Sequence, residues 1–194
     1  MDISNQQRCY HGTGKSSYSK KGDNYFKILR YDISTESMKK KQGKTYKLPG
    51  SLGYGIYTFT TEEMAKLIAG KFYSDPMVLD IGLNPIEDSI LDLNDTDTQE
   101  NFHEFRLESY KSAEKHCENF NAANDKQHVF DGIVIELYIK KLQKNNPGLI
   151  VSAVRLKTYT PLDKEKKNSY SYIPNGTELC LRDDRAINEV IEGG

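Results

Sequence analysis

The sequence predicts a mixed α and β domain, and two kinds of pattern support this fold class. Short runs rich in β-branched and aromatic residues, such as Ile56–Phe59 and Met77–Leu83, are typical of strands. Elsewhere apolar residues recur with the helical period, as they do in residues 61–74, where Met64, Ala65, Ile68 and Phe72 share one face. Because no repeat or composition break interrupts this alternation, we expect residues 1–194 to form a single domain.

The overall composition fits a soluble protein with a sizeable core. Of the 194 residues 37% are hydrophobic, and the formal net charge at pH 7 is −1. No window approaches the run of about 20 apolar residues that a membrane helix needs, and the first residues do not resemble a signal peptide. We therefore expect a cytoplasmic protein without a membrane partner.

Cysteines and histidines exclude two common kinds of stabilising site. Cys9, Cys117 and Cys180 are odd in number and far apart, which favours reduced, mostly buried thiols over a disulfide framework. The histidines lack close partners at zinc-binding spacing, so we expect no metal.

The N-terminal quarter is predicted to contain one strand, one short helix and a long loop. The strand includes Cys9 and Tyr10 and ends in a glycine turn at His11–Gly14, so His11 is placed to face a cleft. Residues 15–23 are predicted to be a loop, and residues 24–30 a short helix with Phe26 and Leu29 directed inward. Residues 31–51 show no sustained periodicity, and a loop of that length often forms a lid or a binding loop.

The stretch from Leu52 to Lys66 is the centre of the sequence. Gly53 and Gly55 allow a close backbone approach, and the strand behind them carries Tyr57. Thr60 and Glu63 have the spacing of a capping box, which predicts a helix beginning at Thr61. Tyr57 therefore lies on a strand that leads into a helix.

The second half of the chain is predicted to hold one long helix and three strands. The helix spans Thr98–Ala123 and covers one side of the sheet. Its expected core contacts are Phe102, Phe105, Cys117 and Phe120. The runs Gly132–Leu137 and Leu149–Leu156 are rich in β-branched residues and are predicted to be strands. Thr177–Arg182 alternates polar and apolar residues, which indicates a half-buried strand with Glu178 on the face opposite Leu179 and Leu181.

Three of these pieces together resemble a known family. His11-Gly12-Thr13, the run Leu52-Gly53-Tyr54-Gly55-Ile56-Tyr57 and Glu178 are similar, in order and separation, to the His, Tyr, Glu signature of the ADP-ribosyltransferases of the diphtheria-toxin and poly-ADP-ribose-polymerase type. The resemblance extends from residue 8 to about residue 187. It implies an α+β fold in which two packed, mainly antiparallel small sheets form a split cleft for NAD, with helices outside.

The resemblance also implies roles for individual residues, with NAD as the substrate and no metal. The residues that would contact NAD are His11, Gly12, Thr13, Gly55 and Tyr57. His11 would bond the adenosine-side ribose, the Gly12 backbone would hold the nicotinamide amide, and Tyr57 would stack on the nicotinamide ring. Glu178 would oppose the positive charge that develops on the ribose as nicotinamide leaves. His11, Tyr57 and Glu178 are thus the expected catalytic residues.

Three functions remain open at this point. The first is a mono-ADP-ribosyltransferase acting on a macromolecule, the second a non-catalytic module that binds NAD or ADP-ribose, and the third an RNA-binding regulatory domain. Glu178 favours the first over the second, because a binder needs no carboxylate there. Gly176 stands where many arginine-modifying relatives have Glu or Gln, so arginine is a poor first guess for the acceptor. By analogy, a small transferase of this kind resembles a bacterial or phage toxin or defence effector that an antitoxin protein controls.

A basic segment suggests the class of acceptor. Residues 36–47 contain five lysines and one acid, Glu36, and Tyr31 and Tyr46 flank them. Lysines attract phosphates, and the tyrosines are expected to offer a face for an unpaired base. We therefore expect RNA or single-stranded nucleic acid as the acceptor, with a protein acceptor as the alternative. A merely solvated loop is the other interpretation of this segment.

Overall fold

A computed structural model describes residues 7–21, 25–120, 127–160 and 173–192. These residues form an α+β fold with a seven-stranded mixed sheet and five α-helices. The strands are β1 Arg8–Gly14, β2 Ile56–Phe59, β3 Pro76–Leu83, β4 Ile90–Asp92, β5 Ala153–Thr158, β6 Gly176–Leu181 and β7 Ile187–Glu192. The helices are α1 Lys15–Lys21, α2 Ile33–Lys41, α3 Glu62–Phe72, α4 Thr96–Asn119 and α5 Gln127–Asn145. None of the helices in these ranges is long and apolar enough to cross a membrane.

The sheet is continuous but narrows at its centre. Its strand order is β4-β5-β6-β2-β1-β3-β7, and every neighbouring pair is antiparallel except β4 and β5. The ladder between β1 and β2 consists of the single pair Tyr10 and Phe59, whereas β1 and β3 pair at seven positions. The two small sheets that the resemblance implies are therefore one sheet here, joined by a one-pair junction between β1 and β2.

Helices cover one face of this sheet. Tyr10 and Phe59 point toward α3 and pack near Met64 and Val78. Farther along the same face, α5 packs on β5 and β6, and α4 packs on the outside of α5, where the rings of Phe105 and Tyr138 lie 5.2 Å apart.

The opposite face of the sheet carries a second core that these helices do not cover. Its core contains Cys9, Ile81, Leu179 and Leu181, all buried. Residues 25–30 form no helix or strand, and their Phe26 and Ile28 pack against this core. The burial of Cys9 and Cys180 agrees with the sequence prediction, while Cys117 is only partly buried.

Several predicted elements are confirmed. β2 and β3 occupy the predicted runs, and β6 places Glu178 on the face opposite Leu179 and Leu181, as predicted. The strand is not half-buried, however, because Cys180 on the face of Glu178 is as fully buried as Leu181. The predicted long helix corresponds to α4, and its expected core contacts all pack into one cluster.

One predicted strand is wrong: the segment is part of a helix that is buried on several sides. Gly132–Leu137 lies inside α5, where Ile133, Val134 and Ile135 are all at most 2% exposed. A helix enclosed between a sheet and another helix loses its polar stripe, so a short apolar run cannot be distinguished from a strand by periodicity. The strand predicted at Leu149 begins only at Ala153.

Corrections in the first half of the chain concern short helices. Residues 15–21 and 33–41 are helical, contrary to the predicted loops, while residues 25–30 are not. The start of α2 had a signal in the sequence, because the Asp32 side chain accepts a hydrogen bond from the Thr35 backbone N–H at 2.9 Å. Leu29, predicted to face inward, is 56% exposed.

The start and the end of α3 also differ from prediction. The capping box is absent, since Thr61 is the N-cap and makes no side-chain capping bond. Phe72, expected on the buried face, is 67% exposed at the last residue of the helix.

Candidate active site

His11 is held at the junction between β1 and β2 by a defined set of hydrogen bonds. Its Nδ1 lies 2.6 Å from the Tyr57 carbonyl oxygen, and its Nε2 lies 2.9 Å from the Tyr25 hydroxyl. The Thr13 hydroxyl lies 2.7 Å from the same Tyr25 oxygen. A carbonyl only accepts, so Nδ1 carries the hydrogen; in the neutral ring Nε2 then accepts from Tyr25, and Thr13 donates to Tyr25. The imidazole thus presents an acceptor nitrogen to a hydroxyl group.

Tyr57 is anchored through its hydroxyl group. This oxygen accepts from the Leu52 backbone N–H at 2.7 Å and donates to the Gly53 carbonyl at 2.9 Å. The ring packs against the cluster that contains Leu52 and Cys180, and burial raises the pKa of the phenol far above its ordinary value. Tyr57 borders a cavity of about 260 Å³ whose other walls include Gly55.

The glycines before Tyr57 have packing reasons for their identity. Gly50 and Gly53 pair through two backbone hydrogen bonds of 3.1 Å, and Gly53 has φ of +86°. A Cβ on Gly50 would lie 2.4 Å from the Tyr57 hydroxyl oxygen, and one on Gly55 would lie 2.3 Å from the Leu181 carbonyl oxygen. We call residues 50–55 the glycine turn, and its tight backbone fixes the Tyr57 side chain.

A buried ion pair holds the middle of the glycine turn. Glu136 accepts from the Tyr54 backbone N–H at 2.7 Å, and Arg182 Nη1 donates to the Tyr54 carbonyl at 3.0 Å. Arg182 Nη2 also donates to Glu136 at 2.9 Å. The sequence pattern did not indicate this ion pair, because Glu136 and Arg182 each belong to a run predicted to be a strand. The one sign of a special role for Glu136 was that it is a single charged residue inside an apolar run.

Gly12 is required for the packing of β1 on α3. A Cβ at this position would lie 2.2 Å from the Ala65 carbonyl oxygen and 3.1 Å from the Ala69 nitrogen. No larger residue fits without moving the helix.

Glu178 lies on β6, directly opposite Phe59 of β2. Its Oε1 accepts a hydrogen bond from the Thr160 hydroxyl at 3.1 Å. Burial raises the pKa of this carboxyl group, and the Thr160 bond opposes that shift only in part. Within the described ranges, no Lys, Arg or His side chain pairs with it.

Other buried carboxylates of the described residues are all ion-paired. They are Glu36 with Lys39, Glu136 with Arg182, and Asp183 with Arg185 and Arg30. Glu178 differs from them because its neighbours are hydroxyl groups, so its negative charge is not neutralised by a cation in this part of the chain.

The predicted site residues lie on both faces of the sheet. Tyr57 and Glu178 share the helix-covered face, because Tyr57 and Phe59 alternate in step and Phe59 pairs with Glu178. His11 follows Tyr10, which pairs with Phe59, and so points to the opposite face. The structure therefore joins the His11 ring to the Tyr57 carbonyl group by a hydrogen bond. It places Tyr57 and Glu178 on adjacent strands. His11 and Glu178 are separated by the sheet near its junction.

The basic segment is mostly the end of a helix. Glu36 is only 2% exposed and binds the Lys39 ammonium at 2.6 Å and the Lys47 backbone N–H at 2.7 Å. Lys39, Lys40 and Lys41 occupy the last turn of α2, and Lys47 borders the cavity beside Tyr57.

The tyrosines that flank this segment each pack against another aromatic ring. The Tyr46 ring packs on Phe120 at 5.8 Å, and the Tyr31 ring lies 5.2 Å from that of Tyr54. Both rings are thus partly buried in the packing around α5, and Tyr31 also borders a cavity, so the expectation that they offer a face to a base stays a prediction.

In comparisons with protein-family models, curated proteins and solved structures, no match to this chain was found. No group of three or more His, Cys, Asp or Glu side chains with the geometry of a metal site occurs among the residues that the structure describes. The functional interpretation therefore depends on the chemistry of the residues themselves.

Proposed function

We propose that this chain is a mono-ADP-ribosyltransferase that cleaves NAD and transfers ADP-ribose to a macromolecular acceptor. The observation that carries the proposal is the environment of Glu178, a partly buried carboxylate with a hydroxyl partner and no cationic partner within the described ranges. A carboxylate neutralised by an ion pair has little charge left for a substrate. Glu178, on the strand next to the one that carries Tyr57, has no such partner among the described residues, so its ionised form would have its charge available for a substrate.

The proposed reaction uses this charge directly. Cleavage breaks the bond between C1′ of the ribose and the nicotinamide nitrogen, and the electron pair leaves with nicotinamide, which becomes neutral. Positive charge then develops on the ribose, and a nearby carboxylate stabilises it. An acceptor oxygen or nitrogen forms the new bond to C1′ and loses its proton, which Glu178 with its raised pKa is suited to take.

The residues around His11 fit a ribose hydroxyl. The acceptor nitrogen of His11 is engaged by the hydroxyl of Tyr25, with Thr13 beside it. A ribose hydroxyl offers the same donor and acceptor pair, so the Tyr25 oxygen stands in for the ligand atom at this point. Binding of the adenosine-side ribose here requires the Tyr25 hydroxyl to move away.

The surroundings of Tyr57 suit a planar ring. Tyr57 and Gly55 border the cavity of about 260 Å³, a size that accepts a nicotinamide ring. The two hydrogen bonds of the Tyr57 hydroxyl hold the ring still, which lowers the entropy cost of using it as a wall. Since His11 and Glu178 lie on opposite faces, the dinucleotide would have to cross the junction between β1 and β2.

For the acceptor we favour RNA or single-stranded nucleic acid. The support is the run of lysines at the end of α2 and Lys47 at the rim of the Tyr57 cavity. These cations attract phosphates, whereas the rings of Tyr31 and Tyr46 are already packed against Tyr54 and Phe120 and carry less of the argument. As an effector of this kind, the chain would be a toxin or defence protein under the control of an antitoxin.

The test measures which macromolecule receives a label from NAD. The purified protein is incubated with NAD labelled in its adenine ring, together with cellular RNA, single-stranded DNA or cellular protein. We expect nicotinamide release and label that ribonuclease or deoxyribonuclease removes. Label that only protease removes would instead identify a protein acceptor. Saturable NAD binding without nicotinamide release would support the non-catalytic binding module and refute the transferase.

A further inference from the structure

A second cavity, of about 450 Å³, lies beside the C-terminal end of β6. Tyr54 and four separate segments form its walls: residues 29–32, the second half of α5, residues 147–151 and residues 182–185. None of the residues proposed to contact NAD borders it.

One end of this cavity carries an excess of positive charge. The Asp183 carboxylate is 6% exposed and accepts hydrogen bonds from Arg185 Nε at 3.0 Å and from Arg30 Nη2 at 3.1 Å. One carboxylate thus serves two guanidinium groups. The side chains of Arg30 and Arg185 are 75% and 65% exposed, so both groups remain accessible to a ligand.

The remaining charges along the cavity compensate each other. Arg182 pairs with Glu136, and Lys140 pairs with Asp32. Among the side chains that line the cavity, the surplus cation therefore belongs to the Asp183 cluster; Asp184, outside the lining, also interacts with the charge of Arg185. Arg30 uses only one of its N–H groups within the described residues, so several donors of its planar fork are available for a further anion.

The other wall of the cavity is apolar. Ile139 is buried in its floor, and Leu149 and Val151 line it. Leu29 and Ile150 stand on its rim with 56% and 48% of their surface exposed. Exposed aliphatic side chains beside accessible guanidinium groups are typical of a pocket for a ligand with one charged and one apolar part.

We propose that this cavity binds a small organic anion, a phosphate ester or carboxylate attached to an apolar body. The anionic group would bond to the guanidinium groups of Arg30 and Arg185, whose geometry suits both oxyanions. The apolar body would lie against Ile139, Leu149 and Ile150.

Tyr54 connects this cavity with the candidate active site. It borders both cavities, and its backbone is held by Glu136 and Arg182, which line the larger one. A ligand here would therefore lie next to the residues that fix the glycine turn.

Calorimetric titration with three probes tests the proposal. Phenyl phosphate and phenylacetate each combine an anion with an apolar ring, and inorganic phosphate lacks the ring. We expect at least one aromatic probe to bind with a dissociation constant on the order of 1 mM or tighter, and inorganic phosphate to bind about tenfold more weakly or worse. The stronger aromatic probe shows whether a phosphate ester or a carboxylate is the preferred ligand. Equal affinity for phenyl phosphate and inorganic phosphate, or no binding of any probe, overturns the proposal.

Variants locate the binding site. Arg30→Ala and Arg185→Ala should each weaken the best probe about tenfold, because each removes a charge-assisted hydrogen bond from an exposed side chain. Arg106→Ala is the matched control, since Arg106 forms a half-exposed pair with Asp131 away from this cavity. Unchanged affinity in both cavity variants, or an equal decrease in the control, contradicts the assignment. Displacement of the probe by NAD would show that the cavity belongs to the NAD site, and would overturn the assignment of a separate site.

Discussion

Glu178 combines two properties that are unfavourable for stability and useful for chemistry. Burial disfavours its ionised form, and among the described residues its side chain is bonded to the neutral Thr160 hydroxyl and to no cation. Glu136, on α5, is more deeply buried but is bonded to Arg182 and to the backbone of Tyr54. The two carboxylates should therefore respond oppositely to neutralisation.

The first prediction concerns the stability of Glu178→Gln. The folded-state pKa of Glu178 is raised, so between its unfolded and folded pKa values the folded state binds more protons, and stability falls as pH rises through that range. At pH 7 the Gln variant should melt at the same temperature as the wild type or higher. The advantage should vanish once the pH is below the ordinary pKa of glutamate. Thermal melts of both proteins from about pH 4 to about pH 8 measure this difference in melting temperature, because a buried carboxyl group titrates within that range.

Glu136→Gln is the control for that measurement. This change leaves the buried Arg182 guanidinium without its anion and should cost roughly 3–5 kcal/mol. A Glu178→Gln variant that is destabilised as much as Glu136→Gln would mean that Glu178 is a structural residue.

The second prediction separates the two contributions of Tyr57. Tyr57→Phe keeps the ring that borders the cavity but removes the bonds to Leu52 and Gly53, so it should cost about 1–3 kcal/mol of stability while NAD affinity changes by less than about threefold. Tyr57→Ala also removes the ring and should weaken NAD binding roughly tenfold or more. Calorimetry with NAD measures both variants. Wild-type affinity in Tyr57→Ala would rule out the ring as a contact for nicotinamide.

At the scale of elements, the glycine turn is the connection between α5, β6 and Tyr57. The third prediction is that Gly50→Ala costs about 2–3 kcal/mol, because its methyl group would displace a hydroxyl oxygen that is fixed by two hydrogen bonds. Gly43→Ala is the comparison, since Gly43 has φ of +66° but no atom within 4 Å of an added Cβ. It should cost only about 1 kcal/mol. Equal destabilisation of the two variants in chemical denaturation would show that crowding at Tyr57 is not important.

The fourth prediction concerns the end of α2. Replacing Lys40 and Lys41 together by Ala, which leaves Lys39 paired with the buried Glu36, should reduce modification of a single-stranded acceptor and lower the slope of its salt dependence by about 0.7 for each phosphate that the protein no longer binds. Nicotinamide release without an acceptor should stay unchanged.

A control for the α2 variant removes lysines from another helix. Lys111 and Lys115 are exposed on α4, and their replacement by Ala should leave the salt dependence unaltered. If both sets of lysines reduce modification equally, the effect is one of overall charge and not of a binding surface.

Whether an element of the fold could be predicted from the sequence depended on what surrounds that element in the structure. The alternation of residue types in β6 located Glu178 on the correct face, although helices also cover that face and bury Cys180. Residues 132–137 are buried within α5 on several sides, so no periodicity distinguished helix from strand. The helix α2 is short and polar, and its N-cap Asp32 was its one strong local signal.

The candidate site was predictable only in its local parts. His11, Tyr57 and Glu178 lie on strands whose patterns were recognised, whereas their distribution over two faces depends on the register of β1 with β2 and β6. The contact between Glu136 and Arg182 joins residues 46 positions apart, and no local pattern reports such a pair. The hydrogen bond between the Tyr25 hydroxyl and His11 could not be predicted either, because it also joins residues that are distant in sequence.

At the scale of the whole molecule, the proposed site depends on the narrow centre of the sheet. β1 contributes His11, and the neighbouring β2 and β6 contribute Tyr57 and Glu178, while only the pair Tyr10 and Phe59 joins β1 to β2. The two parts of the site therefore belong to two halves of the sheet, and a substrate bound by both would have to connect them.

The most direct test of the central claim compares wild type and Glu178→Gln in two measurements, NAD affinity by calorimetry and nicotinamide release at saturating NAD. Charge stabilisation by Glu178 acts mainly in the transition state, so affinity should stay within about threefold while turnover falls roughly 100-fold or more. Wild-type turnover in the Gln variant, in a protein that still binds NAD, would contradict the proposed role of Glu178.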